Sequence, residues 1–126
     1  MFMTVLQVAI GGAIGAALRF LAGVWVLRVF GMQAIPLGVL GINILGSFLM
    51  GVFVVFAAQR GLTHLNPLIA TGILGGFTTF SAFSLETVDL IERGDIGLAG
   101  LYVGLSVVCS VVGLMLGLWL ARGVLA

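Results

Sequence analysis

Hydroxyl and aromatic side chains are concentrated between residues 71 and 87. Six residues of this stretch carry hydroxyl groups: Thr71, Thr78, Thr79, Ser81, Ser84 and Thr87. Phenylalanine recurs there at every third position, as Phe77, Phe80 and Phe83. A hydroxyl group donates hydrogen bonds, and the edge of a phenyl ring carries partial positive charge. Together they could line a path for a small anion. By spacing alone, however, packing explains the rings better, and bonds to the carbonyl four residues earlier would satisfy some of the hydroxyls.

Three further polar residues interrupt otherwise apolar segments. Asn43 stands alone in its segment, and its amide offers two donors. It could extend the anion path or simply pin two helices together. Ser106 and Ser110 are four residues apart, so they share one helical face and could continue a polar track.

The composition places the chain in a membrane. Apolar residues make up 62% and charged residues 7%, with a mean hydropathy of +1.37. Soluble domains have about 45–50% and about 25% respectively. Five basic and four acidic side chains cannot build a water-facing surface, so lipid must cover most of the protein. The basic residues are scattered singly, and no patch for nucleic acid is formed.

Four apolar segments are long enough to cross a bilayer, which takes about 20 residues. They predict an all-α membrane protein with one transmembrane domain over residues 1–126 and both termini on the same side. The expected spans are about 5–29, 37–58, 68–91 and 96–121. The first connector ends at Pro36, a residue well suited to opening a helix.

The third span is predicted to be a broken helix. Gly75 and Gly76 lie at its centre, and each weakens a helix by roughly 1 kcal/mol relative to alanine. Interrupted helices at membrane depth are tolerated only inside protein or beside a watery cavity. Unwound carbonyl groups at such a break can coordinate a cation, and the N-terminus of a half-helix can face an anion.

Arg19 and Glu86 are ionisable groups inside predicted spans. Such groups are candidates for function by default. Simpler explanations are that Arg19 snorkels or bonds loop carbonyls and that Glu86 reaches the membrane interface. No direct role in conduction is expected for either residue.

The arginines of the loops give no orientation signal. Arg60 and Arg122 lie on the side of the termini, and Arg28 and Arg93 lie on the other side. Because orientation follows the basic bias of short loops, a balance of two against two predicts insertion both ways and antiparallel pairing. Alternatively, a weaker signal such as Arg19 or flanking length decides the orientation.

The run from Gly75 to Glu86, GGFTTFSAFSLE, resembles the signature of the Fluc/CrcB fluoride channel family. Other matching features are Gly11-Gly12-Ala13-Ile14-Gly15, Leu18-Arg19, Pro36-Leu37-Gly38, Asn43 and Gly46-Ser47. The resemblance covers all four spans, the chain length and the loop positions.

This resemblance implies a fluoride-selective channel in the cell (inner) membrane that lets fluoride leave passively and lowers cytoplasmic fluoride. It further implies an antiparallel, dual-topology homodimer with two pores and a structural Na⁺ ion at its centre. Backbone carbonyls of Gly75 and Thr78 from both copies would hold the sodium. The family's pore residues fall on Asn43, Phe80, Phe83 and Ser110, and the hydroxyls of Thr79, Ser81 and Ser84 complete the expected lining.

Two positions depart from the family pattern. Ala82 stands between the two pore phenylalanines, where the family usually has threonine. Leu114, one turn beyond Ser110, supplies no hydroxyl where some relatives have one. Both changes remove a donor from the expected polar track.

Three other functions compete with a fluoride channel. A small dual-topology multidrug exporter would also have four spans, but it needs a mid-membrane carboxylate, and none precedes Glu86. An accessory membrane subunit without transport of its own is a second alternative. An enzyme is the weakest, because His64 lies in a loop far from Cys109 and no catalytic or phosphate-binding motif occurs.

Overall fold

The computed structural model describes residues 1–125. Its α-helices are α1 (Phe2–Phe30), α2 (Leu37–Arg60), α3 (Gly75–Phe77), α4 (Phe80–Glu92) and α5 (Ile96–Leu125). A 3₁₀ turn (Thr63–Leu65) and a π-helix (Pro67–Leu74) precede α3. The pieces from Thr63 to Glu92 make one span, so the chain has four segments long and apolar enough to cross a membrane. The prediction of an all-helical, four-span fold is confirmed.

Each span ends later than hydropathy alone predicts. α1 ends at Phe30, α2 at Arg60 and α5 at Leu125. The last turn of each of these helices contains an arginine, whose charge is favourable beside the negative end of the helix dipole. The helices therefore continue past the apolar segment into the polar boundary.

The third span is interrupted, but not at its paired glycines. Gly75 has helical angles (φ −64°, ψ −38°). The chain becomes extended at Thr78 (φ −80°, ψ 156°) and Thr79 (φ −151°, ψ 117°), and α4 begins at Phe80. The predicted break exists, and it lies two residues further along than the weak helix formers.

The span is widened before the break. Pro67–Leu74 is π-helical, with Pro67 at its first position, where a missing amide costs nothing. π-Helical turns are rare in proteins overall, and those that occur are frequently near functional sites. Nothing in the sequence pattern indicated this geometry.

α1 packs most extensively against the first half of the third span, residues 67–77. A Cβ atom on Gly11 would overlap the carbonyl of Leu68, and one on Gly15 would overlap that of Ile73. A Cβ atom on Gly76 would lie 2.7 Å from the carbonyl oxygen of Gly12 in α1. The backbones therefore meet directly, as small residues four apart allow.

α2 packs most extensively against α5 by the same means. Cβ atoms on Gly51 and Gly117 would overlap the carbonyls of Leu114 and Phe48 respectively. The pair Gly100 and Gly104 behaves differently, since Cβ atoms there would meet nothing within 4 Å.

Candidate functional site

A groove of about 430 Å³ lies beside the break, between α2, α4 and α5. Five of the predicted pore residues line it: Asn43, Thr79, Phe80, Phe83 and Ser110. Thr78 and Ser106 also line this groove. The structure thus brings together most of the predicted site, but Ser81 and Ser84 are outside the groove lining.

Asn43 of α2 bonds the main chain of the break in both directions. The Thr79 amide donates to Asn43 Oδ1 (2.8 Å), and Asn43 Nδ2 donates to the Thr79 carbonyl (3.1 Å). In a continuous α-helix the Thr79 amide would instead bond the carbonyl of Gly75. Asn43 therefore pins two elements together, and one Nδ2 hydrogen is left for another acceptor.

Arg19 of α1 bonds the same break from the other side. Its Nε donates to the Gly76 carbonyl at 3.1 Å, where a continuous helix would place the amide of Phe80. Arg19 thus bonds a carbonyl group, but one inside the third span and not, as the sequence had suggested, in a loop. Its partner, 57 residues away in sequence, could not be inferred from any local pattern.

Thr79 caps the second half of the span. Its Oγ1 accepts a hydrogen bond from the Ala82 amide (3.2 Å) and lies 3.3 Å from Ser81 Oγ. A threonine N-cap satisfies one of the otherwise unpaired amides of a helix start. Because Phe80 lines the groove, the partly positive N-terminus of α4 lies at the groove as well.

Three hydroxyls of the third span bond the carbonyl four residues earlier in the chain. Thr78 Oγ1 donates to the Leu74 carbonyl (3.0 Å), Ser84 Oγ to that of Phe80 (3.0 Å), and Thr87 Oγ1 to that of Phe83 (2.8 Å). The simpler explanation of these hydroxyls, bonding four residues back, is therefore right for all three.

The hydroxyls of α5 are different. Ser106 Oγ and Ser110 Oγ are buried, and neither has a hydrogen-bond partner among residues 1–125. Both line the groove. A buried donor without a partner is costly, and this cost is removed when a ligand accepts the bond.

Phe80 and Phe83 line the groove, and the buried ring of Tyr102 packs behind Phe83. The centroids of Phe80 and Phe83 are 5.4 Å apart, as are those of Phe83 and Tyr102. The Tyr102 hydroxyl donates to Glu86 Oε2 at 2.8 Å. Sequence reasoning missed Tyr102, although a lone tyrosine in an apolar helix was a possible signal. Glu86 is partly buried and anchors the last ring.

The break leaves main-chain oxygens that suit a sodium ion. The amide that would bond the Gly75 carbonyl in a helix is engaged by Asn43, and Gly75 is exposed on the surface of the chain. The Thr78 side chain is held by Leu74 and by contact of its methyl group with Gly46. Carbonyls at unwound helix ends coordinate Na⁺ in other membrane proteins, so these residues fit the ion. Among residues 1–125 no group of three His, Cys, Asp or Glu side chains forms a metal site.

A second cavity, of about 530 Å³, lies across the break between α1, the connector 31–36 and α4. Charged side chains line it, including Arg19, Glu86, Asp89 and Arg93. Thr79 lines both this cavity and the groove. The break therefore separates a charged cavity from an aromatic and hydroxyl-lined groove.

Known proteins are similar in sequence to this chain over nearly its whole length. The family model described as "CrcB-like protein, Camphor Resistance (CrcB)" matches residues 6–118. A protein of Ruegeria sp. (strain TM1040) named "Fluoride-specific ion channel FluC" is 64% identical over 125 residues, which cover 99% of each chain.

Two further relatives carry the same name. The Roseobacter denitrificans protein is 62% identical over 122 residues (96% of this chain, 97% of the relative), and that of Cereibacter sphaeroides (strain ATCC 17029 / ATH 2.4.9) is 54% identical over 126 residues (100% of both). These names describe ion channels and not enzymes. With four membrane-capable helices, the chain is a multi-pass membrane protein and belongs to the CrcB-like family.

Proposed function

We propose that this protein is a fluoride-selective channel, which lets fluoride leave the cell passively and so lowers cytoplasmic fluoride. The observation that carries the proposal is the groove at the break, where two phenyl rings, a helix N-terminus and two unbonded hydroxyls meet. The names of relatives up to 64% identical support fluoride as the ion.

A fluoride ion is small and holds its water tightly, so a pore must offer many donors in exchange. Ser106 and Ser110 offer hydroxyl hydrogens that nothing in the described chain accepts. Asn43 offers its remaining amide hydrogen, and Phe80 and Phe83 offer the positive edges of their rings. None of the described residues that line the groove carries a carboxylate, which would repel an anion.

The working unit in this proposal is an antiparallel homodimer with two pores in the inner membrane. Phe80 is 77% exposed in the single chain, although it lines the groove. A second copy would cover this ring and close the open side of the groove. The balance of arginines between the two sides supports insertion of the copies in opposite orientations.

The proposed dimer includes one structural Na⁺ ion, bound at its centre. The carbonyls of Gly75 and Thr78 from the two copies would hold it. When bound, the ion supplies a fixed positive charge, which favours anions nearby in a medium of low dielectric constant. Arg19 and Asn43 hold the main chain on either side of these carbonyls.

The competing functions receive less support. A multidrug exporter needs a carboxylate in its binding site, and the groove lining among the described residues contains none. An accessory subunit would need no unbonded buried hydroxyls. Relatives named as channels favour neither alternative.

Fluoride efflux from proteoliposomes tests the proposal. Purified protein is reconstituted alone, and loss of internal fluoride is followed with a fluoride electrode after a potassium ionophore is added. Rapid fluoride efflux is expected, with chloride retained in matched vesicles. Vesicles that keep both anions would favour the accessory subunit, and transport of a drug cation instead would favour the exporter.

A further inference from the structure

At the break, two hydrogen bonds of a continuous helix are missing, and bonds from two side chains of the same protein take their place. Between Gly75 and Phe80, a continuous helix would bond the Thr79 amide to the Gly75 carbonyl and the Phe80 amide to the Gly76 carbonyl. Instead Asn43 Oδ1 accepts from the Thr79 amide, and Arg19 Nε donates to the Gly76 carbonyl. One substitute supplies an acceptor and the other supplies a donor.

We propose that Arg19 is a positioning residue, whose Nε–H bond to the Gly76 carbonyl keeps the third span open at Thr78–Thr79. Its contribution comes from the donor at that atom, more than from the charge. While Arg19 bonds the Gly76 carbonyl, that acceptor is already satisfied, so closing the break onto the Phe80 amide gains little. The neighbouring Gly75 carbonyl is then left without its helical partner.

The surroundings of Arg19 support a structural bond. The half-helix that ends at Phe77 carries carbonyls without helical partners, which a side-chain N–H donor can satisfy. Gly12 and Gly76 bring α1 against this end, and the Cβ position of Gly76 is 2.7 Å from the Gly12 carbonyl. The guanidinium therefore reaches the break from a helix that is already held in contact with it.

Charge and donor position can be separated by three substitutions. Arg19→Gln removes the charge but places an amide N–H the same number of bonds from Cα as Arg Nε. Arg19→Lys keeps the charge and places a methylene group at that position, with its donor one atom further out. Arg19→Met removes both the charge and the donor at similar length.

Hydrogen exchange of the segment 75–85 in lipid nanodiscs is the first measurement. Thr79 lines both cavities, so the amides of the break border space in which exchange can occur. We expect Arg19→Gln to exchange at the wild-type rate, and Arg19→Lys and Arg19→Met to exchange about fivefold or more slower at the Phe80 amide, because the closed helix bonds that amide to the Gly76 carbonyl. Arg28→Lys, the same exchange near the end of α1, is the matched control and should leave the rate unchanged.

Fluoride flux is the second measurement, and only this part rests on the proposed function. Arg19→Gln should retain flux, and Arg19→Met should lose it. If Arg19→Lys retains wild-type exchange and flux while Arg19→Gln loses both, the charge is what matters and the proposal is wrong. It is equally wrong if Arg19→Met exchanges at the wild-type rate. Wild-type protein that passes no fluoride would overturn the proposed function, and the exchange rates would still decide the role of Arg19.

Discussion

Phe80 and Phe83 are adjacent rings with different surroundings. Phe83 is 9% exposed and packs on Tyr102, whose hydroxyl is bonded to Glu86. Phe80 is 77% exposed and contacts Phe83 on one side only. The chain itself therefore fixes one ring, and the other needs a covering surface from outside the chain.

Replacing either ring by isoleucine should slow fluoride flux, because an aliphatic side chain has no positive edge to offer an anion. A drop of at least about tenfold is expected for each, which corresponds to about 1.4 kcal/mol in the barrier. Phe83→Ile should also lower the unfolding temperature in detergent, because it removes buried ring contacts. Flux in proteoliposomes and thermal unfolding are the measurements.

Phe2→Ile is a matched control for Phe80→Ile. Phe2 is 78% exposed and lies outside the groove, so its exchange should leave flux unchanged. Normal flux in both Phe80→Ile and Phe83→Ile would show that the rings do not contact the ion.

At the level of the helices, close backbone contact decides where α1 lies on the third span. A Cβ atom on Gly15 would overlap the Ile73 carbonyl, whereas one on Gly12 would meet nothing within 4 Å. The two glycines are on the same helix and three residues apart, so they give a matched pair.

Gly15→Ala should destabilise the protein, since α1 must move away from the span that carries the break. Gly12→Ala should be neutral or stabilising by up to about 1 kcal/mol, the usual gain for alanine in a helix interior. Thermal unfolding in detergent and the elution volume of the folded protein would distinguish them. Equal behaviour of the two variants would mean that the α1 contact is looser than described.

The elements differ in how far they can be predicted from sequence. Length and hydropathy suffice for the four spans, because the bilayer sets one minimum length for each of them. The position of the break does not follow from local propensity. Gly75 stays helical, and the chain opens at two threonines because Arg19 and Asn43 bond the main chain there. The two partners of each bond are far apart in the sequence, by 57 residues for Arg19 and Gly76 and by 36 for Asn43 and Thr79. Bonds of such long range leave no local pattern.

The candidate site shows the same division. Asn43, Phe80, Phe83 and Ser110 were recognisable from the family motif, and they meet in one groove. Motif and spacing left out the bond of Tyr102 to Glu86, which depends on how α4 lies against α5. A match of residue types along the chain cannot show which hydroxyl groups already have a hydrogen-bond partner within the protein.

Across the whole molecule, the arginines follow the ends of the helices. Arg28, Arg60 and Arg122 lie in the last turns of α1, α2 and α5, and Arg93 follows α4 directly. Each span thus has one arginine at its C-terminal end, where the helix dipole favours it. Because successive spans run in opposite directions, this placement puts two arginines on each side of the membrane.

Dual topology can be measured by labelling single cysteines. Glu92→Cys introduces an exposed thiol near the Gly94 loop in a Cys109→Ala background, and acidic residues contribute little to orientation. Gly94 itself is unsuitable, because its φ of 86° strains other residues. An impermeant maleimide applied to right-side-out vesicles should label about half of the molecules, as expected for a chain without arginine bias.

His64→Cys, in the loop on the opposite side, is the companion variant and should also be half labelled. Complete labelling of one variant and none of the other would establish a single orientation and would exclude an antiparallel pair.

The π-helix Pro67–Leu74 makes this part of the third span tolerant of the loss of one residue. Its bonds reach five residues along the chain, so it holds a residue that an α-helix would have no room for. Loss of a single codon there would remove that residue and restore ordinary helical winding with the flanking turns in phase, whereas the same loss inside a continuous α-helix rotates one side by about 100° relative to the other. Gly76 could then still meet Gly12 of α1, whereas the same deletion inside α2 would turn Gly51 away from Leu114 of α5.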